Sequence, residues 1–339
     1  MRAVVWLGPR TMELQAVADP TPGAGEVLLR VGAVGICGSE LSGYLGQNSL
    51  RVPPLVMGHE FAGEVVARGA QVTVLELGDQ VIANPLSSCG VCQLCQAGHQ
   101  NLCPLRQLVG AHRPGAFAEL VAVSAASCTR LPANLSPVAG SLAEPLACGV
   151  RAARVGGVGD GTSVAIFGAG PIGLMCVSAC RRVGGEVRLV VDMHAGRLTT
   201  AARWGALATC NASSDDPVAA ARRVSGGLGV DVAIDAVGAS ATRRAAIEAV
   251  RPGGVVVFLG LHEAESAVQA NHVVRSEVRI TGSFAYTPTE FAEAVRMLAK
   301  GDVRVSSDWL EERPLAACAA SFAQLIDAPP AIAKIVLRP

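Results

Sequence analysis

The feature that most restricts the fold of this 339-residue chain is a regular alternation of short apolar runs and amphipathic segments between about Asp160 and Ser283. Strands are predicted at 163–167, 187–191, 208–210, 230–235, 255–260 and 278–282. Helical periodicity fills most of the gaps, at 171–183, 196–204, 217–224 and 242–250. Short strands separated by helices of about ten residues imply right-handed crossovers and a parallel sheet covered on both faces. Six of them fit a doubly wound, nucleotide-binding α/β unit.

Within this region, residues 161–180 carry no charge and are long enough to mimic a membrane helix. Gly168-Ala169-Gly170-Pro171-Ile172-Gly173 interrupts them at the centre, so a buried strand, a tight turn and a helix account for the apolarity instead. A lone Gly-x-Gly-x-x-Gly is a weak signal in a glycine-rich chain, but here Val164-Ala165-Ile166-Phe167 leads into it and an apolar helix follows. Gly168 can then turn the chain, Gly170 can admit a pyrophosphate close to the backbone, and Gly173 can let helix and strand pack closely. Pro171 and Ile172 open the helix whose unpaired N–H groups would face the phosphates. Asp192 stands 24 positions after Gly168, at the end of the second strand, where a carboxylate accepts ribose hydroxyls and repels a 2′-phosphate. The expected cofactor is therefore NAD rather than NADP, with Arg197 placed to lie along the adenine or, as the lesser alternative, to accept a 2′-phosphate.

The first third of the chain has a different texture. Up to about Val123 it is dense in Gly and Pro, with Val-rich runs such as 26–31 and 63–67, and reads as a mostly β module. Helical periodicity begins at Ser136 and continues through 144–154. After Ser283, Thr287 and Glu290 form a capping box with Pro288 at the first helical position, and Gly301 stops that helix. Residues 333–338 read as a closing strand that packs on one of the two units rather than forming a third.

Two stretches point to metal. Gly35-Ile36-Cys37-Gly38-Ser39-Glu40 and Gly58-His59-Glu60 bring a thiolate, a hydroxyl, an imidazole and carboxylates into one short segment, a set suited to a catalytic zinc. Cys89, Cys92, Cys95 and Cys103 have the spacing C-x2-C-x2-C-x7-C, which suits a closed tetrahedral structural zinc. An iron–sulfur cluster is the alternative, but ferredoxin spacing would place three residues in the last gap rather than seven. Cys128, Cys176, Cys180, Cys210 and Cys318 lack metal-like spacing and read as small buried apolar residues. His99, His112, His194, His262 and His272 lie outside these motifs and read as ordinary core or surface residues.

Composition narrows the partners. Twenty-eight basic and 28 acidic residues give no net charge, hence no electrostatic footprint for nucleic acid or an anionic membrane. A small neutral or zwitterionic substrate is expected. Five apolar residues before Gly8-Pro9 are too few for a signal-peptide core, so the expected location is the cytoplasm.

Taken together, these motifs resemble the medium-chain zinc-dependent alcohol dehydrogenases, in the branch of sorbitol, other polyol and threonine dehydrogenases. The resemblance rests on residues 35–40, 58–60 and 89–103, on Ala143-Glu144-Pro145-Leu146, and on 168–173, and it spans essentially the whole chain. It implies a groES-like catalytic domain of residues 1–150 and 284–339 around a Rossmann NAD-binding domain of residues 151–283. It implies two zinc ions per chain, and a homodimer or homotetramer formed through the cofactor domain. Cys37 and His59 match zinc ligands, and the third ligand is left open between Glu60 and Glu144. Glu40 matches the acid that orients the ligand histidine, and Ser39 matches the hydroxyl that takes the substrate proton. One departure is Ser42, which stands where the family often carries a relay histidine. Tyr44, Arg51, Leu55, Phe117 and Cys148 are candidate pocket residues. The implied reaction is reversible oxidation of a secondary alcohol, such as a polyol, sugar derivative or amino alcohol, with hydride transfer to NAD. The alternatives are a zinc-free reductase of the same superfamily and a non-catalytic NAD-sensing protein.

Overall fold

Six parallel strands form one sheet in the spatial order Thr209–Asn211, Glu186–Asp192, Ser163–Phe167, Val230–Asp235, Val250–Phe258 and Arg279–Gly282. By sequence this is 3-2-1-4-5-6, the doubly wound order in which the chain reverses direction beside the first strand. The computed structural model from which this is read describes residues 1–328 and 332–339. The predicted strands all form. The fifth begins earlier than expected, at Val250 rather than Val255, because Val250 continues straight from helix Ser240–Ala249 and pairs with Val230. Helix Pro171–Arg182 ends one residue earlier than its periodicity indicates.

A second, seven-stranded sheet carries most of the amino-terminal third. Its central strand Glu26–Gly35 pairs antiparallel with Glu60–Arg68, Leu120–Ser124 and the carboxy-terminal Lys334–Arg338. Lys334–Arg338 in turn pairs parallel with Leu310–Pro314. The tail of the chain therefore returns to the sheet that the first third began. The mostly β reading holds, with short helices added: Gly38–Tyr44 follows soon after Glu26–Gly35, and Gln93–Gln96 lies in the cysteine lobe.

Helix Ala143–Val155 joins the two sheets and packs against Pro171–Arg182 and Pro288–Lys300. Gly149 makes the close approach possible, since a Cβ there would lie 2.8 Å from the Met175 backbone. The capping box forms as predicted: Thr287 accepts from the Glu290 amide, Glu290 accepts from the Thr287 amide, and Gly301 ends the helix in the left-handed conformation. Among the described residues no helix is long and apolar enough to cross a membrane.

Candidate metal centres and cofactor cradle

Strand Glu26–Gly35 stops at a glycine because a Cβ at Gly35 would collide with the Glu60 carboxylate and the Lys334 stem. Cys37 then takes the N-cap position of helix Gly38–Tyr44, and Glu40 closes back on the Cys37 amide at 3.0 Å. The same carboxylate accepts from the Gly58 amide at 2.9 Å and meets His59 Nδ1 at 2.7 Å. Fully buried Glu40 thus ties together the two halves of the stretch from Gly35 to Glu60. Burial pushes its carboxyl up, but the His59 charge and hydrogen bond outweigh that and hold it below the usual carboxylate range. With Nδ1 committed to Glu40, His59 presents Nε2 as its free ligand atom, the arrangement by which a carboxylate fixes a metal-binding imidazole.

Cys37, His59 and Glu60 bring one donor atom each to within 4.8 Å of one another. This donor set of one thiolate, one imidazole and one carboxylate fits a zinc with one open position. Glu60 is itself held: Lys334, only 2% exposed, ion-pairs with its Oε2 and donates to the Ile36 carbonyl at 2.8 Å. Burial pulls the Lys334 amine down, but the neighbouring Glu60 and Cys37 charges raise it above the ordinary lysine value. Sequence reasoning missed Lys334, although a signal was present. The chain has only two lysines among 28 basic residues, and one of them interrupts the apolar run of the last strand.

Glu144 stands in the first turn of helix Ala143–Val155, outside the three-donor cluster. Burial pushes its carboxyl up to about 7; His59 opposes the shift and Glu60 adds to it. Tyr286, also missed from sequence, places its buried hydroxyl beside Glu144 without closing a well-formed hydrogen bond. Ala285, just before it, holds a left-handed φ of 47° that turns this segment. Ser39 Oγ lies 3.4 Å from Cys37 Sγ, which puts the candidate proton acceptor beside the candidate ligand. Ser42 is half-buried one turn further along the helix, and the second group that contacts Ser39 Oγ, besides Cys37, is Arg51. Of the candidate pocket residues, Arg51 and Cys148 adjoin this centre. Tyr44, Leu55 and Phe117 instead belong to the hydrophobic core behind it, with Phe322 packed edge-on against both aromatic rings.

The four cysteines of the lobe close a second cluster. Sγ–Sγ distances are 3.5 Å for Cys92–Cys95 and Cys89–Cys103, and 3.9 Å for Cys89–Cys95 and Cys92–Cys103. A tetrahedron with metal–sulfur bonds of about 2.3 Å has edges of about 3.8 Å, so the sulfurs already sit at zinc spacing. A multi-iron cluster needs more room between its thiolates. The Val91 and Cys92 amides point at Cys89 and lower its thiol to about 6, favouring the thiolate a metal requires. The lobe docks through Asn101 Nδ2, which donates to the Phe284 carbonyl at 2.7 Å, and through the Arg106 guanidinium 4.9 Å over the Phe284 ring.

At the cofactor cradle, Gly168 adopts φ 101°, and its missing Cβ would meet Val237 Cγ2 at 2.7 Å. A Cβ on Gly173 would strike the Gly168 carbonyl, whereas the corresponding position at Gly170 faces open space. Gly170 caps helix Pro171–Arg182, so the open space lies at the helix N-terminus, where a pyrophosphate fits. Asp192 accepts from the Ala169 amide at 2.7 Å and from the His194 amide at 2.8 Å, one bond per oxygen. It is both a turn residue and a carboxylate with lone pairs left for a diol. Arg197 lies in the first turn of helix Ala195–Arg203, half-buried.

Residues 23–133 match the alcohol dehydrogenase GroES-like domain, and residues 171–300 match the zinc-binding dehydrogenase domain. Human sorbitol dehydrogenase is 36% identical over 88% of this chain and 85% of its own length. L-Galactonate-5-dehydrogenase of Escherichia coli is 31% identical over 95% of this chain and 94% of its own. The crystal structure of a zinc-binding dehydrogenase from Sinorhizobium meliloti, bound to NADP, superposes with a TM-score of 0.93 at 32% identity, covering 100% of this chain and 99% of that one.

Proposed function

We infer the function of this chain from its membership of the medium-chain zinc-dependent alcohol dehydrogenase family, to which it belongs in the branch of sorbitol and related polyol dehydrogenases. It is an oxidoreductase that uses zinc and a nicotinamide dinucleotide to oxidise a secondary alcohol of the polyol type. The observation that carries the site reading is the convergence of Cys37, His59 and Glu60, with Glu40 fixing the imidazole.

Cys37, His59 and Glu60 are the proposed ligands of a catalytic zinc, with Glu144 as a second carboxylate able to replace Glu60. In support, Glu60 lies in the donor cluster, and Lys334 pairs with its Oε2. Cys89, Cys92, Cys95 and Cys103 are the proposed ligands of a structural zinc. Zinc bound at the first site would supply a Lewis acid for the substrate oxygen, and Gly168, Gly170, Pro171, Ile172 and Gly173 would hold NAD, which would supply the hydride acceptor. Ser39 Oγ takes the hydroxyl proton. Glu40 keeps His59 in one tautomer, and Asp192 receives the adenosine ribose, favouring NAD over NADP.

The proposed division of the chain places residues 1–150 and 284–339 in the catalytic domain and 151–283 in the cofactor domain. The strand pairing of Lys334–Arg338 with Glu26–Gly35 supports it. The substrate proposed is a polyhydroxylated secondary alcohol or sugar acid, as the names of the relatives indicate, and the assembly proposed is a dimer or tetramer. A panel of such alcohols assayed for NADH formation, with metal analysis alongside, tests the whole reading. Turnover with two zincs per chain is expected. A zinc-free protein would point instead to the reductase alternative, and NAD binding without turnover to the sensor.

A further inference from the structure

Arg51 is an unusual buried cation. It is 4% exposed, and no carboxylate lies within ion-pair distance of it among the described residues. Burying a charged guanidinium is costly unless its N–H groups are satisfied. Here Nη1 donates to the Ser39 carbonyl at 3.1 Å and Nη2 to Ser39 Oγ at 3.3 Å, while Nε has no partner. Both side-chain hydrogen bonds of Arg51 go to one serine.

The fold makes room for this contact. A Cβ at Gly43 would lie 2.6 Å from Arg51 Cδ, so the stem of Arg51 passes through a notch in helix Gly38–Tyr44. Glycine inside a helix is unfavourable by about 1 kcal/mol relative to alanine, and the nearest atoms to that notch are Arg51 Cδ at 2.6 Å and Nε at 3.5 Å, with Met57 Sδ at 3.6 Å. Arg51 is thus built against Ser39 rather than left there by default.

We propose that Arg51 is a positioning residue for the proton step, fixing Ser39 Oγ and lending it positive charge where a titratable relay group is absent. This rests on the reading of Ser39 as proton acceptor. A guanidinium neither takes nor releases a proton near neutral pH, so Arg51 cannot itself be a relay. By donating to Oγ it occupies one lone pair, leaving the other for the alcohol O–H. It also disfavours any extra proton resting on Oγ. As the alcohol O–H bond breaks and the new bond to Oγ forms, the original Ser39 proton, which points at Cys37 Sγ 3.4 Å away, turns from it and leaves to water in the same event. Hydride passes from the carbinol carbon to NAD, so the net products are ketone, NADH and one proton. Ser42 takes no part.

The test compares Arg51→Met, Arg51→Lys and Ser39→Ala, and the doubles with Ser39→Ala, in the zinc-loaded protein. Arg51→Met is expected to lower kcat by about 100-fold with little change in KM, the scale of a lost charged hydrogen bond and a misplaced group. Arg51→Lys, which keeps the charge but loses the two-pronged contact, should fall by about 10-fold. NAD affinity and the visible spectrum of the cobalt-substituted protein should stay parental, showing an assembled site. In the Ser39→Ala background either change should add less than about twofold, because the two residues act as a unit. An undiminished kcat in Arg51→Lys and Arg51→Met, or a full additional loss on top of Ser39→Ala, would overturn the proposal. A parental rate for Ser39→Ala alone would instead remove the serine from the mechanism, a separate failure.

Discussion

The two cysteine-bearing centres of this protein are built by opposite means. The lobe gathers four sulfurs from 15 consecutive residues, using a short helix, Gln93–Gln96, and left-handed turns at Gly90 and Gly98. The proposed catalytic centre gathers Cys37 from a helix N-cap, His59 and Glu60 from the start of a strand, Glu144 from a helix more than 80 residues later, and Lys334 from the last strand. Four soft, identical donors close a metal off and leave chemistry no opening. Mixed donors, one of them a carboxylate already paired with Lys334, would leave a bound metal an open position, with several charges buried together. A local motif suffices for the first, whereas the second requires the assembled tertiary structure.

Removing a ligand from each centre should separate chemistry from stability. Cys37→Ala is expected to cut kcat by about 10³-fold or more while NAD binding, followed by NADH fluorescence, persists. If turnover survives, the catalytic assignment fails. Cys95→Ser should leave residual activity in the fraction that stays folded, halve the zinc content and lower the thermal midpoint by about 10 °C or more. Equal loss of activity and unchanged melting in both variants would erase the distinction between the centres.

Smaller effects probe the charge balance. Lys334→Met leaves Glu60 buried without its partner, so a destabilisation of about 3–5 kcal/mol in denaturant titration is expected in the chelator-treated protein. Zinc should recover part of it by giving the carboxylate a cation. Glu144→Gln should act in the opposite direction. Burial raises the Glu144 carboxyl to about 7, so the folded state holds a proton there that the unfolded state releases above about 4.5. Stability should therefore fall as pH rises from about 4.5 to 7 and level off above. Glu144→Gln should remove that slope and gain up to about 3 kcal/mol at pH 8 in the chelated protein. A flat parental profile would mean that the pocket admits enough water to solvate the carboxylate. Asp192→Asn, remote from both centres, should weaken NAD by about tenfold and narrow its advantage over NADP without altering either metal.

Much of this was legible in sequence for a physical reason. The glycine cradle, the lobe and the Thr287–Glu290 capping box each depend on interactions within a few residues, and so leave a fixed spacing behind. The pairing of Glu40 with His59 was legible through family likeness rather than spacing. That Tyr44, Leu55 and Phe117 pack into one hydrophobic core was not legible, because residue type does not say which face of an element looks inward. Tyr286 left no signal beside Glu144, since nothing in its neighbourhood marks a strand end that folds back across the molecule.

The amino-acid sequence by itself determined the six-stranded doubly wound order, the closed set of four sulfurs, and the donor types for a second metal. Hydrophobic period, turn chemistry and ligand spacing are all local. Only the tertiary structure decided that Lys334 holds Glu60, that Glu144 stands outside the cluster, and that Arg51 rather than Ser42 touches Ser39. Those outcomes follow from which buried charged and polar groups meet across 12 to 274 residues of chain, and burial makes such groups costly to leave unpaired.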